Sequence, residues 1–209
     1  MPGHDIIVIG ASAGGVEALK VLVAGFPHDL QATIFVVLHL SATGPSILAE
    51  ILTGAGLLPA PQVVKGEIIA PGHIYVAPPD HHLLVEQGHV RVTRGPKENR
   101  FRPAVDVLFR SAAYAYGPRV IGVILTGALD DGTAGLWAVK DRGGLAVVQD
   151  PQEALHSSMP QSALRHVSVD ACLPLAEIVP MLVQLVGEPA PMEGVHPVSK
   201  KLAIETPIA

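Results

Sequence analysis

The 209-residue chain carries a formal net charge of −5 and is 49% hydrophobic. This length suits one α/β domain, or one with a small appendage, and an acidic balance without any basic cluster speaks against nucleic acid as a partner. A lone cysteine, Cys172, excludes an internal disulfide and a cysteine zinc site; no apolar run is long enough to cross a bilayer and no signal peptide precedes Ile6, so a cytoplasmic protein without membrane insertion is expected.

The first predicted unit is Asp5–Leu22, DIIVIGASAGGVEALKVL. Ile6–Ile9 reads as a short apolar strand and Gly10–Gly15 as a small-residue turn with one hydroxyl, Ser12. Val16, Leu19 and Val23 then recur at helical spacing until Gly25-Phe26-Pro27. Ala32–Leu38 is a β-branched apolar strand followed by His39. Pro45 is placed at a first helical position, with Ile47, Leu48, Ile51 and Leu52 lining one face up to Gly54. An opening βαβα implies a parallel sheet with right-handed crossovers, and its continuous apolar strands are those buried on both faces.

From Pro61 the texture changes. Val63–Ile69, Ile74–Ala77, Leu83–Glu86 and Val90–Thr93 are short and β-like, and are read as an antiparallel hairpin beside the main sheet, with Gln87-Gly88 at its tip. Gly95–Arg102 is polar and reads as a mobile loop, and Pro103 opens a helix carrying Val105, Leu108, Phe109 and Ala112 on one side. Val120–Leu125 is the clearest buried strand; Thr126–Gly132 leads from it into a helix through Leu136 and Val139. Leu145–Val148 is another strand, Ser162–Leu164 a short helix, Val169–Leu173 a last strand, and Leu175–Val186 a last helix that Pro180 should kink or shorten. The expected fold class is α/β: a doubly wound, mainly parallel sheet with helices on both faces and a small antiparallel hairpin appendage. Residues 1–187 form the domain, and the proline-rich segment 188–209 is expected to be a flexible or surface-docked tail.

Ser12 falls at the carboxyl end of a strand, the edge where parallel sheets place their ligands. Gly10-x-Ser12-x-Gly14 fits the nucleophile-elbow pattern. Gly10-x-x-x-x-Gly15 half-fits the dinucleotide fingerprint, but Ser12 replaces the middle glycine and no Asp or Glu lies between Asp29 and Glu50 to hold a ribose. A packing turn with an N-cap serine is the plain alternative. His39 and Asp130-Asp131 end strands on the same edge, so a nucleophile, a base and an orienting carboxylate can meet there. Imidazole, with an ordinary pKa of about 6.5, can take and return the serine proton. Equally, either aspartate can cap the following helix, and His39 can be a satisfied strand-end histidine. The order Ser…His…Asp differs from the Ser…Asp…His of α/β-hydrolases. His81-His82 read as solvated turn residues within reach of the edge. His156 lacks metal-ligand partners, so no metal is expected. Met159-Pro160 is a pocket wall or a loop before a short helix, and Cys172 reads as inert core.

Ile9-Gly-Ala-Ser12-Ala-Gly-Gly15, the strand-end His39, Ile74-Tyr-Val-Ala-Pro78, Pro103-Ala-Val-Asp-Val-Leu-Phe109, Leu125-Thr-Gly-Ala-Leu-Asp-Asp131-Gly132 and Met159-Pro160 resemble, in order, the catalytic domain of the CheB protein-glutamate methylesterases. The resemblance covers about Asp5 to Val186. It implies a Ser12-His39-Asp131 triad, with Asp131 rather than Asp130 as its acid, and attack of Ser12 on the γ-methyl ester of a receptor glutamate. It also implies deamidation of receptor glutamines, an oxyanion held in part by the Ala128 N–H, a pocket including Ala13 and Met159, and no cofactor. The implied partner is a methylated chemoreceptor or receptor-like protein. Ala13 stands where the family commonly has Thr, Ala128-Leu129 replaces Met-Gly, and Leu38 replaces Gln. With no receiver domain, the chain reads as a stand-alone module whose control would fall to a separate regulator protein. The rival functions are a non-catalytic module binding a receptor or signalling partner through the same edge, and a dinucleotide-binding oxidoreductase.

Overall fold

Alternation within the apolar strands decides the layers. In Ile6–Ala11 (β1) every residue is buried; Ile6 and Val8 join one core cluster, Ile7 and Ile9 the other. The computed structural model describes residues 3–39, 47–191 and 196–206. Its strands continue with Thr33–Leu38 (β2), Ile74–Val76 (β3), His82–Glu86 (β4), His89–Thr93 (β5), Val120–Ile124 (β6), Leu145–Gln149 (β7) and Ala171–Leu173 (β8). A six-stranded parallel sheet runs in the order β3-β2-β1-β6-β7-β8, while β4 and β5 form a separate antiparallel pair.

Gly15–Ala24 (α1), Leu48–Ala55 (α2) and Leu175–Val186 (α6) cover the Ile7 and Ile9 face. Val105–Tyr116 (α3), Thr133–Asp141 (α4) and Ser158–His166 (α5) cover the other. The chain winds outward from β1 to β2 and β3, then returns to β6 on the opposite side of β1. That reversal leaves a crevice at the carboxyl ends of β1 and β6, the usual ligand edge of such sheets. Ala11 pairs with Leu38 and Gly10 with Ile124, so the segments leaving β1, β2 and β6 emerge side by side.

Several details depart from the sequence reading. Ile74–Val76 joins the main sheet beside β2 rather than the hairpin, and residues 63–69 contribute a single bridge, Ile68 to His89. The hairpin turn is Gln87-Gly88 as expected, since Glu86 pairs with His89. Cys172 is exposed, because β8 is an edge strand with a solvent face. α6 is not shortened by Pro180; the ring sacrifices one backbone bond while Ile178, Val179 and Leu182 hold the helix on the sheet. Pro45 lies outside the described residues. Within the tail, Ser199 caps a short helix, Lys200–Glu205 (α7), whose Leu202 is buried against the α3 side of the core.

Candidate active site

Ser12 directly follows β1. Its N–H donates to the Thr126 carbonyl at 3.0 Å and its carbonyl accepts the Gly15 N–H at 2.9 Å, while Gly14 takes a left-handed φ of 77° to start α1. That conformation is why a residue without Cβ stands there. His39 directly follows β2, its N–H bonded to the Ala11 carbonyl at 3.2 Å. The ring thus faces the serine: Nδ1 lies 3.0 Å from Ser12 Oγ, and Nε2 lies 2.7 Å from Asp131 Oδ2. A carboxylate can only accept, so the neutral imidazole carries its proton on Nε2, and Nδ1 accepts the Ser12 hydroxyl. The Phe101 ring stacks on the imidazole with centroids 3.5 Å apart and planes 6° from parallel.

Asp131 is completely buried at its side chain. It does not cap the helix that follows it. Instead it caps α3: Oδ2 accepts the Val105 N–H at 2.7 Å and Oδ1 the Asp106 N–H at 3.2 Å. The first turn of a helix leaves such donors unpaired and favours a negative charge. Burial pushes the Asp131 carboxyl up, but hydrogen bonds from His39, Asn99 and Val105 outweigh it and hold it below the usual carboxylate range. Its neighbour Asp106 goes the other way: burial and the Asp131 charge push it up to about 7.

Residues 7–182 match the family model described as CheB methylesterase. The chain belongs to the CheB methylesterase family. Among CheB relatives, a putative protein-glutamate methylesterase/protein-glutamine glutaminase of Leptospira interrogans serogroup Icterohaemorrhagiae serovar copenhageni is 40% identical over 183 residues, covering 87% of this chain and 95% of that protein. The protein-glutamate methylesterase/protein-glutamine glutaminase of Ralstonia nicotianae is 41% identical over 181 residues, 85% of this chain but 47% of that longer protein. The crystal structure of the Thermotoga maritima CheB methylesterase catalytic domain superposes with a TM-score of 0.82 at 34% identity, covering 88% of this chain and all of that one. The doubly wound sheet is therefore the fold of the CheB catalytic domain.

The rest of this CheB site is built from the loops after β6 and β7. Thr126 N–H donates to buried Gln149 Oε1 at 2.8 Å, and Thr126 Oγ1 donates to the Ala13 carbonyl at 3.0 Å while accepting the His156 N–H at 2.9 Å. Gly127 in turn bonds the His156 carbonyl and accepts from Met159 N–H. Met159 and Pro160 are buried in the first turn of α5, so the pair is helical rather than a loop before the helix. A side chain on Gly127 would run into the Met159 sulfur and the Ser12 Cβ, so both pack against the bare face of that glycine. Ala128, Leu129 and Asp130 are exposed.

Sequence reasoning passed over Asn99, Phe101 and Asp106. Asp106 carried a readable signal, a carboxylate between two valines on an apolar helix, but Asn99 and Phe101 carried none. They sit in Gly95–Arg102, which is pinned rather than loose: Arg102 bonds Asp80 and the Gly95 carbonyl, and Arg110 holds Glu98. His82 is fully buried, not solvated; its Nδ1 accepts the Ala104 N–H and its Nε2 donates to the Pro96 carbonyl, and burial pushes its pKa down. It supports this loop and does not reach the edge. Among the described residues no cluster of three or more His, Cys, Asp or Glu is placed to hold a metal, and no helix is long and apolar enough to cross a membrane.

Proposed function

We propose that this chain is a serine hydrolase acting on glutamate γ-methyl esters of receptor proteins, and on receptor glutamines by the same acyl transfer. The observation that carries the reading is the continuous chain from Ser12 Oγ through His39 to Asp131, at 3.0 and 2.7 Å. It stands on the ligand edge of a CheB fold whose relatives bear the methylesterase and glutaminase names.

Ser12 Oγ attacks the ester carbonyl carbon as its proton moves to His39 Nδ1. Asp131 keeps the second proton on Nε2 and stabilises the imidazolium. Collapse of the tetrahedral intermediate breaks the carbonyl–methoxy bond, and Nδ1–H protonates the departing methoxide to give methanol. Water, giving a proton to Nδ1, then attacks the acyl-enzyme; the glutamate carboxylate leaves and Ser12 recovers its proton. With glutamine the leaving group is ammonia. The oxyanion is assigned to the backbone N–H groups of Ala13 and Ala128, which have no acceptor among the described residues and flank Ser12 and Gly127. Loss of one such donor costs about 10²–10³ in rate. The substrate must present its ester on an extended side chain, as a glutamate on a receptor helix does, since Phe101 covers one face of the imidazole.

The test is methanol release from a methylated receptor. Wild-type protein is expected to release it, and Ser12→Ala to lose about 10⁶ of the turnover. Release by Ser12→Ala at a rate within about tenfold of wild type would remove Ser12 as the nucleophile.

A further inference from the structure

Two buried acids stand next to each other behind His39: Asp106 is 4% exposed and Asp131 1%. Each has its own backbone donors. Asp106 Oδ1 accepts from Gly132 N–H at 3.0 Å and Gly135 N–H at 2.6 Å, while Asp131 accepts from Val105 and Asp106. One side chain bonds both. Asn99 Nδ2 lies 2.7 Å from Asp106 Oδ2 and 2.7 Å from Asp131 Oδ1. A carboxamide nitrogen has two N–H bonds, so each carboxyl group receives one, and the opposite amide orientation would aim an oxygen at two acceptors.

The backbone fixes that placement. Asn99 and Arg100 both have positive φ, 50° and 73°. This left-handed region is disfavoured for residues with a Cβ but tolerated by Asn and Asp. Such a conformation persists where its surroundings hold it. On one side of Asn99, Glu98 is clamped by Arg110 of α3; on the other, Phe101 lies against the His39 ring.

We infer that Asn99 is a positioning residue of the reaction: its carboxamide separates the Asp106 and Asp131 carboxyl groups and holds Asp131 charged and aimed at Nε2 of His39. The inference rests on the esterase reading of the same site. Without those two N–H bonds, like charges in a buried space repel, and either one acid takes a proton or the carboxylates rotate apart. Both outcomes loosen the bond that fixes the imidazole. The titratable or charged groups facing the pair are His39 beside Asp131 and Arg110 beside Asp106. Glu98 pairs with Arg110 beside Asp106, and Glu205, Asp130, His166 and Lys201 line the adjoining cavity of about 360 Å³.

Asn99→Asp keeps the size and the left-handed backbone but replaces both donors with a third acid. In the full chain it is expected to lower kcat for methanol release about 100-fold with KM little changed, and to move the acid limb of the kcat profile to higher pH. Adding Asp106→Asn, which exchanges acid and amide across the pair, is expected to return about tenfold or more of that loss. Carboxyl ¹³C titration of Asp131 reads the same effect without turnover: its midpoint should rise in Asn99→Asp and fall back in the exchanged double variant. If wild type releases no methanol, the esterase reading fails, and the titration alone decides the role of Asn99. Wild-type kcat and an unmoved Asp131 midpoint in Asn99→Asp would overturn the inference, as would a double variant no better than Asn99→Asp in either readout.

Discussion

Gly127 sets the width of the site at its nucleophile. Any Cβ there would overlap the sulfur of Met159, which is 1% exposed and anchored in α5, and would press on the Ser12 Cβ. Met159 is buried and Ser12 Cβ is fixed to the backbone, so relief requires the Met159 side chain to repack or the turn that carries Ser12 to move. Gly127→Ala is therefore expected to cost about 1–3 kcal/mol of stability, as overpacked core positions do. A shift of Ser12 by a fraction of an ångström should also lower methanol release by about tenfold or more. Urea melts and steady-state rates on the same preparation check both, and an unchanged protein would mean the loop after β6 is free to yield. At this scale the meeting of Ser12 and His39 was legible in the sequence, since each directly follows an unmistakable apolar strand. Strand pattern left Asp130 and Asp131 equal, and only the family resemblance chose Asp131, the one that bonds His39. Asn99 and Phe101 were not legible, because a polar loop gives no period from which to infer where a side chain points.

At the scale of elements, Asp131 joins a loop to the start of a helix from another part of the chain. It is both the partner of His39 and the cap of α3, whose own N-cap residue, Ala104, offers no side-chain acceptor. The two roles separate by substitution. Asp131→Ala removes all acceptors and leaves buried Val105 and Asp106 N–H groups unpaired, an expected loss of about 1–3 kcal/mol in chemical denaturation. Asp131→Asn keeps one oxygen for the α3 donors and should lose less stability, yet its turnover should fall by about 10⁴ because the amide no longer selects the Nε2–H imidazole. Equal stability losses in the two variants would count against the capping role. Reading the sequence allowed an aspartate here to cap the next helix, and it was wrong about which helix. Local spacing links Asp131 only to α4, whereas the contact with α3 spans 26 residues and exists only once β6 lies beside β1. The same limit explains β3. Ile74–Val76 is only three residues long, and its pairing with β2 is a property of the sheet edge rather than of its own pattern. The long apolar strands β1, β2 and β6 needed no such help.

For the molecule as a whole, the buried acid pair makes stability depend on pH in a direction that can be worked out. The folded state pushes Asp106 up to about 7, above the roughly 3.9 of an unfolded aspartate, so folding takes up a proton between those values. Its contribution is full below about pH 4 and is lost as the pH rises through about 7. Asp131 runs the opposite way: held below the usual range, it stabilises the fold above about pH 4 and loses that contribution as the pH falls. The two opposing slopes share one hydrogen-bonded unit at the junction of α3, α4 and the ligand edge. Asp106→Asn isolates one of them, since an amide oxygen can still accept from Gly132 and Gly135 while carrying no charge at any pH. The melting temperature of the variant relative to wild type should therefore rise between about pH 4 and pH 8 and level off above. Calorimetry across that range checks it. A difference that stays constant with pH would show that Asp106 does not change its protonation on folding, and that the fold accommodates two adjacent buried negative charges without cost.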